Sequence, residues 1–193
     1  ILWLSADDLD GNRVPDAEQE DFTPPSAVGT WHDRSGNGLH ASAQGAPSYA
    51  ETAFNGKPAI RLDGEDDFLR TMSGGERLQH DFTMLVALRH EQLDNHQMML
   101  MWGVEHTGKR RGMWKVGTSQ FLGFNGHGAD LIGSQKLVTE RPQIAVITKE
   151  GSQHQIRLYL DGQPVGEGKP ALNPFELRAQ NPLTIGANNA GGE

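Results

Sequence analysis

The sequence predicts an all-β protein built as an antiparallel β sandwich of the jelly-roll kind, and three observations predict it. Apolar residues recur with period two over many short runs. Those runs are separated by turns rich in Gly, Asn, Asp and Pro, with 24 Gly and 10 Pro in 193 residues. No segment carries a sustained i, i+3, i+4, i+7 apolar stripe bounded by caps, so α-helix has no foothold beyond a single turn expected near "GGERLQH". A chain of this length can enclose one substantial core. With neither a linker nor an internal repeat in view, residues 1–193 read as one domain.

The strands follow in order. "PAIRLDG" is a short run of the right composition. "FTMLVALRH" places Phe82, Met84, Val86 and Leu88 on one face, with Leu85 and Ala87 opposite. "QMMLMWG" is apolar on both faces, as in a central strand held between two layers. "GMWKVG" and "QFLGFN" are further short strands. "QIAVITKEG" and "HQIRLYLDG" come next, the second alternating Ile156, Leu158 and Leu160 with Arg157 and Tyr159. Asp161-Gly162 is a two-residue hairpin signal, because a type I′ turn needs positive φ at its centre. "PLTIGA" supplies a last short strand.

Composition excludes several functions. A net charge of −8 leaves no electrostatic footprint for nucleic acid, and the basic run Lys109 to Arg111 reads as a loop tip. No apolar stretch is long enough to span a membrane, and "ILWLS" has no basic n-region and cleavage site of a signal peptide. The absence of cysteine removes disulfides, thiolate catalysis and cysteine-based metal sites. None of the eight histidines falls in a His-x-His or His-Glu-x-x-His pattern.

The segment "ADDLDGNRVPDAEQED" crowds seven carboxylates into residues 6–21. Within it Asp8, Asp10, Asn12 and Asp16 occupy positions 1, 3, 5 and 9 of a calcium-loop pattern, with Val14 at position 7 able to offer its carbonyl. The pattern resembles the Asp-rich repeats of thrombospondin type 3 and the loops of dockerins. Two departures stand against it: Arg13 holds the place of the usual Gly, and Gln19 that of the usual acid. Calcium in this loop and a solvated polar insertion both remain open.

Other blocks carry a wider resemblance. "LWLSADDLDG", "VGTWHDRSGNGLHASAQGAPSY", "FNGKPAIRLDGEDDFL", "QIAVITKEGSQHQIRLYLDGQPVGEG" and "PLTIGANNAGG" together resemble the laminin-G-like, concanavalin A-like jelly-roll domains of bacterial secreted proteins. The resemblance implies a module that recognises an extracellular carbohydrate or protein, joined to other domains of a larger polypeptide and working outside the cell or in the periplasm. It also implies a second cation position at Asp33, whereas the residues themselves favour Asp33 and Ser35 capping backbone donors in a tight turn. The family's usual closing strand is missing after "GGE", so the chain reads as a fragment.

Hydrolases of this fold carry alternating carboxylates on one strand, and no "E-x-D-x-E" run occurs here. In "GEDDFL" the acids are adjacent, so on a strand they would face opposite ways. The expectation is a noncatalytic binder stabilised by calcium, with a polysaccharide hydrolase or lyase and a structural spacer as alternatives. Sugar sites need aromatic platforms with planar polar groups around them. Trp3, Trp31 and Trp102 are expected in the core, whereas Trp114, after the basic run, is the expected platform. Phe124, Asn125 and His127 would line the same cleft.

Overall fold

The computed structural model describes residues 1–72, 78, 80–93, 96–103, 105–173 and 182–187. Most of "GGERLQH", where the turn of helix is expected, lies outside these residues. Fourteen strands run through the rest: β1 (Thr30–Trp31), β2 (Ala41–Gln44), β3 (Ser48–Phe54), β4 (Lys57–Arg61), β5 (Phe68–Thr71), β6 (Phe82–Leu88) and β7 (Gln97–Gly103), then β8 (Arg110–Val116), β9 (Phe121–Asn125), β10 (Leu131–Lys136), β11 (Gln143–Glu150), β12 (Gln155–Leu160), β13 (Gln163–Gly168) and β14 (Thr184–Ile185).

The larger sheet has the order β1-β2-β5-β14-β7-β8-β9-β10, the smaller one β13-β12-β11-β6, and β3 and β4 form a separate hairpin. Every pairing between these strands is antiparallel. The two larger sheets pack face to face, which is the β sandwich the periodicity predicts. Met113, Leu122 and Phe124 from the larger sheet meet Met84, Ala145, Ile147, Ile156, Leu158 and Leu160 from the smaller in one core. The period-two reading of β6 holds: Met84 is buried while Leu85, on the other face, is 63% exposed. Asp161 and Gly162 both have positive φ, 51° and 78°, as the β12–β13 hairpin requires.

Strand β7 shows why one stretch can be apolar on both faces. It lies between β14 and β8, inside the larger sheet, and the neighbours Met101 and Trp102 are both buried. Trp102 therefore joins the core as expected.

Two expectations are corrected. Arg110 and Arg111 do not form a loop tip; they open β8 and are buried. Arg111 faces inward at the end of the core, and its guanidinium reaches past the apolar layer to donate to the carbonyls of Gly108, Arg110 and Asn173 at 2.8, 2.8 and 3.0 Å. Carbonyl oxygens satisfy the head while the stem packs, so the charge can be buried. Burial brings its pKa down to about 10. Trp3 also lies outside the core, 55% exposed. The opening segment forms no strand with the sheet; it runs along the turn at 33–35, where the Trp3 N–H donates to Asp33 Oδ1 at 3.0 Å and Arg34 N–H donates to the Trp3 carbonyl at 2.8 Å. Trp31, also expected in the core, is half-buried outside it, its indole N–H on the Ser5 carbonyl at 2.9 Å.

Candidate functional site

The acidic loop folds back on itself because two of its residues adopt left-handed backbone. Gly11 has φ +71°, and a Cβ there would come within 2.8 Å of the His32 Cβ. Arg13, at the position where calcium loops usually carry Gly, has φ 75° and makes the reversal all the same. A 3-10 turn at Asp16–Glu18 then returns the chain, with the Asp16 N–H on the Asp7 carbonyl at 2.7 Å.

This path brings one oxygen from each of Asp8, Asp10 and Asp16 within 4.8 Å of the others. Asp8 and Asp16 are buried, at 0% and 1% exposure. Their surroundings are unequal. Asp16 Oδ2 accepts the Leu9 N–H at 3.0 Å and Oδ1 accepts Gln19 Nε2 at 3.2 Å. Asp8 Oδ2 accepts the Arg13 N–H at 2.9 Å, and Arg34 Nε lies 2.6 Å away at an angle that makes an ion pair rather than a hydrogen bond. Asp8 Oδ1 is buried with no donor among the described residues. A buried carboxylate oxygen without a partner is costly, and more so beside like charges. Burial raises the pKa of Asp16; the Leu9 N–H opposes this, and the charges of Asp10, Asp8 and Asp7 add to it. A hard cation ligated by oxygen would relieve both strains, and these three residues could hold one.

The other oxygens of the calcium pattern, from Asn12 and Val14, are engaged within the loop. Asn12 Oδ1 accepts the Val14 N–H at 2.7 Å, and Asn12 Nδ2 donates to Asp10 Oδ2 at 2.9 Å. The Val14 carbonyl accepts Gln19 Nε2 at 3.3 Å. Both residues serve the loop's internal bonding. Asp33 takes the capping role, the alternative to a cation position. Its oxygens accept the N–H groups of Trp3, Ser35 and Leu39 and the Ser35 hydroxyl, at 2.8 to 3.1 Å. Burial works to raise its pKa, but these donors together hold it below the ordinary value. Four donors leave a cation little to bind.

The aromatic cleft expected around Trp114 is not an open one. Trp114 is half-buried and stacks on His96 with centroids 4.9 Å apart and planes 10° from parallel. Its indole nitrogen lies against Gly123, where a Cβ would stand 2.5 Å away. Phe124 has no exposed surface and belongs to the core, because it pairs with Met113 on the inner face of β9. Alternation puts Asn125 on the other face, where its Oδ1 accepts Arg110 Nη1 at 3.4 Å and the His127 N–H at 3.2 Å. Asn125 is 5% exposed and His127, with φ 53°, forms the turn beyond it. These residues shape the end of the β8–β9 pair.

Sequence reasoning passes over Arg34 and assigns Trp3 to the core. Arg34 joins Asp8 to Trp3: its guanidinium carbon lies 4.7 Å over the indole, and Nη1 is 3.6 Å from Asp7 Oδ1. A Trp in a segment of family framework gives no sign of being exposed; only its pairing with the 33–35 turn places it outside.

No protein-family profile and no curated sequence matches the chain. Solved structures do. The binding domain of botulinum neurotoxin DC in complex with SialylT superposes over 83% of this chain with TM-score 0.57 and 12% identity, and the match covers 43% of that longer chain. Domain 4 of AbnA, a GH43 extracellular arabinanase from Geobacillus stearothermophilus, in complex with arabinotriose, superposes over 81% of this chain and 77% of its own with TM-score 0.59 and 18% identity. The protein thus shares the β-sandwich fold of domains solved with sugars. Among the described residues no helix is long and apolar enough to cross a membrane.

Proposed function

We propose that the protein is a noncatalytic recognition module for extracellular glycans, of the laminin-G-like, concanavalin A-like kind, working as one domain of a larger secreted protein and stabilised by calcium. The observation that carries the reading is the acidic loop, where the donor-free Asp8 Oδ1 faces burial beside two further carboxylates. It calls for a cation on the surface of a sandwich whose structural neighbours were solved with sugars. Asp8, Asp10 and Asp16 are the ligands this chain supplies, and water completes the six to eight oxygens that calcium takes. The sequence lacks the alternating carboxylates of the glucanases, which favours binding over hydrolysis.

The test is a glycan array and affinity electrophoresis in polysaccharide gels, with calcium and with EDTA. Calcium-dependent retention without release of reducing sugar is the expected result. Retention with sugar release makes the protein a hydrolase, unsaturated product makes it a lyase, and no binding to any glycan makes it a spacer or a protein binder.

A further inference from the structure

We propose that the cleft between the acidic loop and the turn at 33–38 is the sugar site, and that it takes a carboxylated sugar, a uronate or similar acidic residue, on a Trp3 platform with Arg13 as the partner of the carboxylate. The proposal rests on the glycan reading above and names the site and ligand class.

The cleft has a volume of ≈ 570 Å³, and Ile1, Trp3, Arg13, Arg34, Ser35 and Asn37 line it. That is room for one or two sugar rings. Trp3 is 55% exposed, yet its backbone is pinned on both sides by Asp33 and Arg34. Arg34 lies over the indole at 4.7 Å and holds the ring, and a half-exposed Trp held in this way is a prearranged stacking surface, with little ordering left to be done on binding. The two arginines differ. Arg34 lies against Asp8 and Asp7, at 2.6 and 3.6 Å. Arg13 is exposed and makes no ion pair among the described residues; its Nη2 lies along the 33–38 turn, where a Cβ on Gly36 would stand 3.4 Å away. A guanidinium with its planar fork unclaimed, beside an open indole, matches a ring that is apolar on one face and carries a carboxylate at its edge.

The acidic loop adds a condition. Asp7 and Asp8 pair with Arg34, and Asp8 lies in one cluster with Asp10 and Asp16, so without a cation the excess of carboxylates beside the cleft repels an acid sugar. A divalent ion held by the loop cancels that repulsion. Calcium then raises the affinity for the acid sugar, and by linkage the sugar raises the affinity for calcium by the same factor.

Calorimetric titration of the calcium-loaded protein with oligosaccharides of glucuronic acid, and with the same oligosaccharides reduced at the carboxyl, tests this. The acid form is expected to bind about tenfold tighter than the reduced form, the scale of one charge-assisted hydrogen bond. Trp3→Ala should abolish binding of both forms, whereas Arg13→Gln should weaken only the acid form, with Trp3→Phe and Arg13→Lys recovering part of each loss. Unchanged melting midpoints confirm that the variants fold. Equal affinity for the two forms overturns the ligand class. Tighter binding of a polyglutamate peptide overturns the sugar. Glycans from the array that bind Trp3→Ala and Arg13→Gln like the parent overturn the site while leaving the module reading intact; no glycan binding at all overturns both.

Discussion

Two acidic turns of this protein look alike in sequence and are opposite in electrostatics. The loop at 8–16 and the turn at 63–67 each bring three carboxylates within 4.8 Å: Asp8, Asp10 and Asp16 in one, Asp63, Asp66 and Asp67 in the other. In the second turn the backbone answers the charge. Asp63 Oδ1 accepts the N–H groups of Glu65, Asp66 and Asp67 at 2.9 to 3.3 Å. Asp67 accepts from Ala46 at 2.6 Å and from Asp63 at 3.1 Å. The Glu65 N–H leads in holding the Asp63 pKa below its ordinary value. In the loop at 8–16, burial leads in pushing Asp16 the other way, and Asp8 Oδ1 is left without a donor among the described residues. Carboxylate count does not distinguish a metal site from a capped turn. The supply of N–H donors does.

The largest acid effect on stability lies in neither turn, and it sets the background for comparing them. Burial, with the charge of Lys115, lowers the His90 pKa from 6.5 to about 4. The unfolded chain takes up a proton as pH falls through 6.5 while folded His90 stays neutral, so stability is lost from there down to about pH 4. The loss amounts to about 3 kcal/mol. Urea unfolding at pH 7 and pH 4 should show it, and His90→Gln should flatten the difference.

Next in size is the response to calcium. A native-only site filled to a hundred times its Kd adds about 2.7 kcal/mol, which raises the thermal midpoint by roughly 5–10 °C for a domain of this size. The shift is expected in EDTA-stripped protein given millimolar calcium. Asp8→Asn with Asp16→Asn should remove it, and Asp63→Asn with Asp66→Asn should leave it whole. The reverse pattern would exchange the roles of the two turns.

Asp67→Ala should cost about 2 kcal/mol with or without calcium, because the change strands the N–H groups of Ala46 and Asp63. Denaturant midpoints in calcium and in EDTA check that the two losses are equal.

The smallest effects carry opposite signs. Asp16, with its raised pKa, is costly when ionised, and that cost fades as pH falls toward 3.8 through the raised value. Asp63, with its lowered pKa, stabilises above 3.8 and loses that contribution as pH falls through its lower folded value. In metal-free protein at pH 7, Asp16→Asn should therefore raise the melting midpoint slightly while Asp63→Asn lowers it. Equal signs would mean that the two environments do not differ.

Much of the fold was legible because period-two burial is a local property. Met84 against Leu85, and β7 with apolar residues on both faces, show which faces are covered without reference to any partner strand. The Asp161-Gly162 hairpin was legible for the same reason, since backbone φ preferences act within a few residues. The acidic loop was legible as a cluster, because the carboxylates are close in sequence as well as in space. Its missing glycine was misleading: Arg13 reaches φ 75° without one.

What tertiary structure alone decided is the fate of side chains whose partners are distant in sequence. Trp3 is exposed because its backbone pairs with residues 33 and 34, and Asp33 is a staple because Trp3 and Leu39 deliver donors to it. Arg111 is buried because carbonyls as far away as Asn173 take its guanidinium. Phe124 and Asn125 divide between core and outer face according to the register of β8 against β9. The amino-acid order determines which groups are charged, apolar or able to turn. Whether a charged group must find a cation, a carbonyl or water depends on what three-dimensional packing brings to it, since desolvation and donor supply act through space and not along the chain.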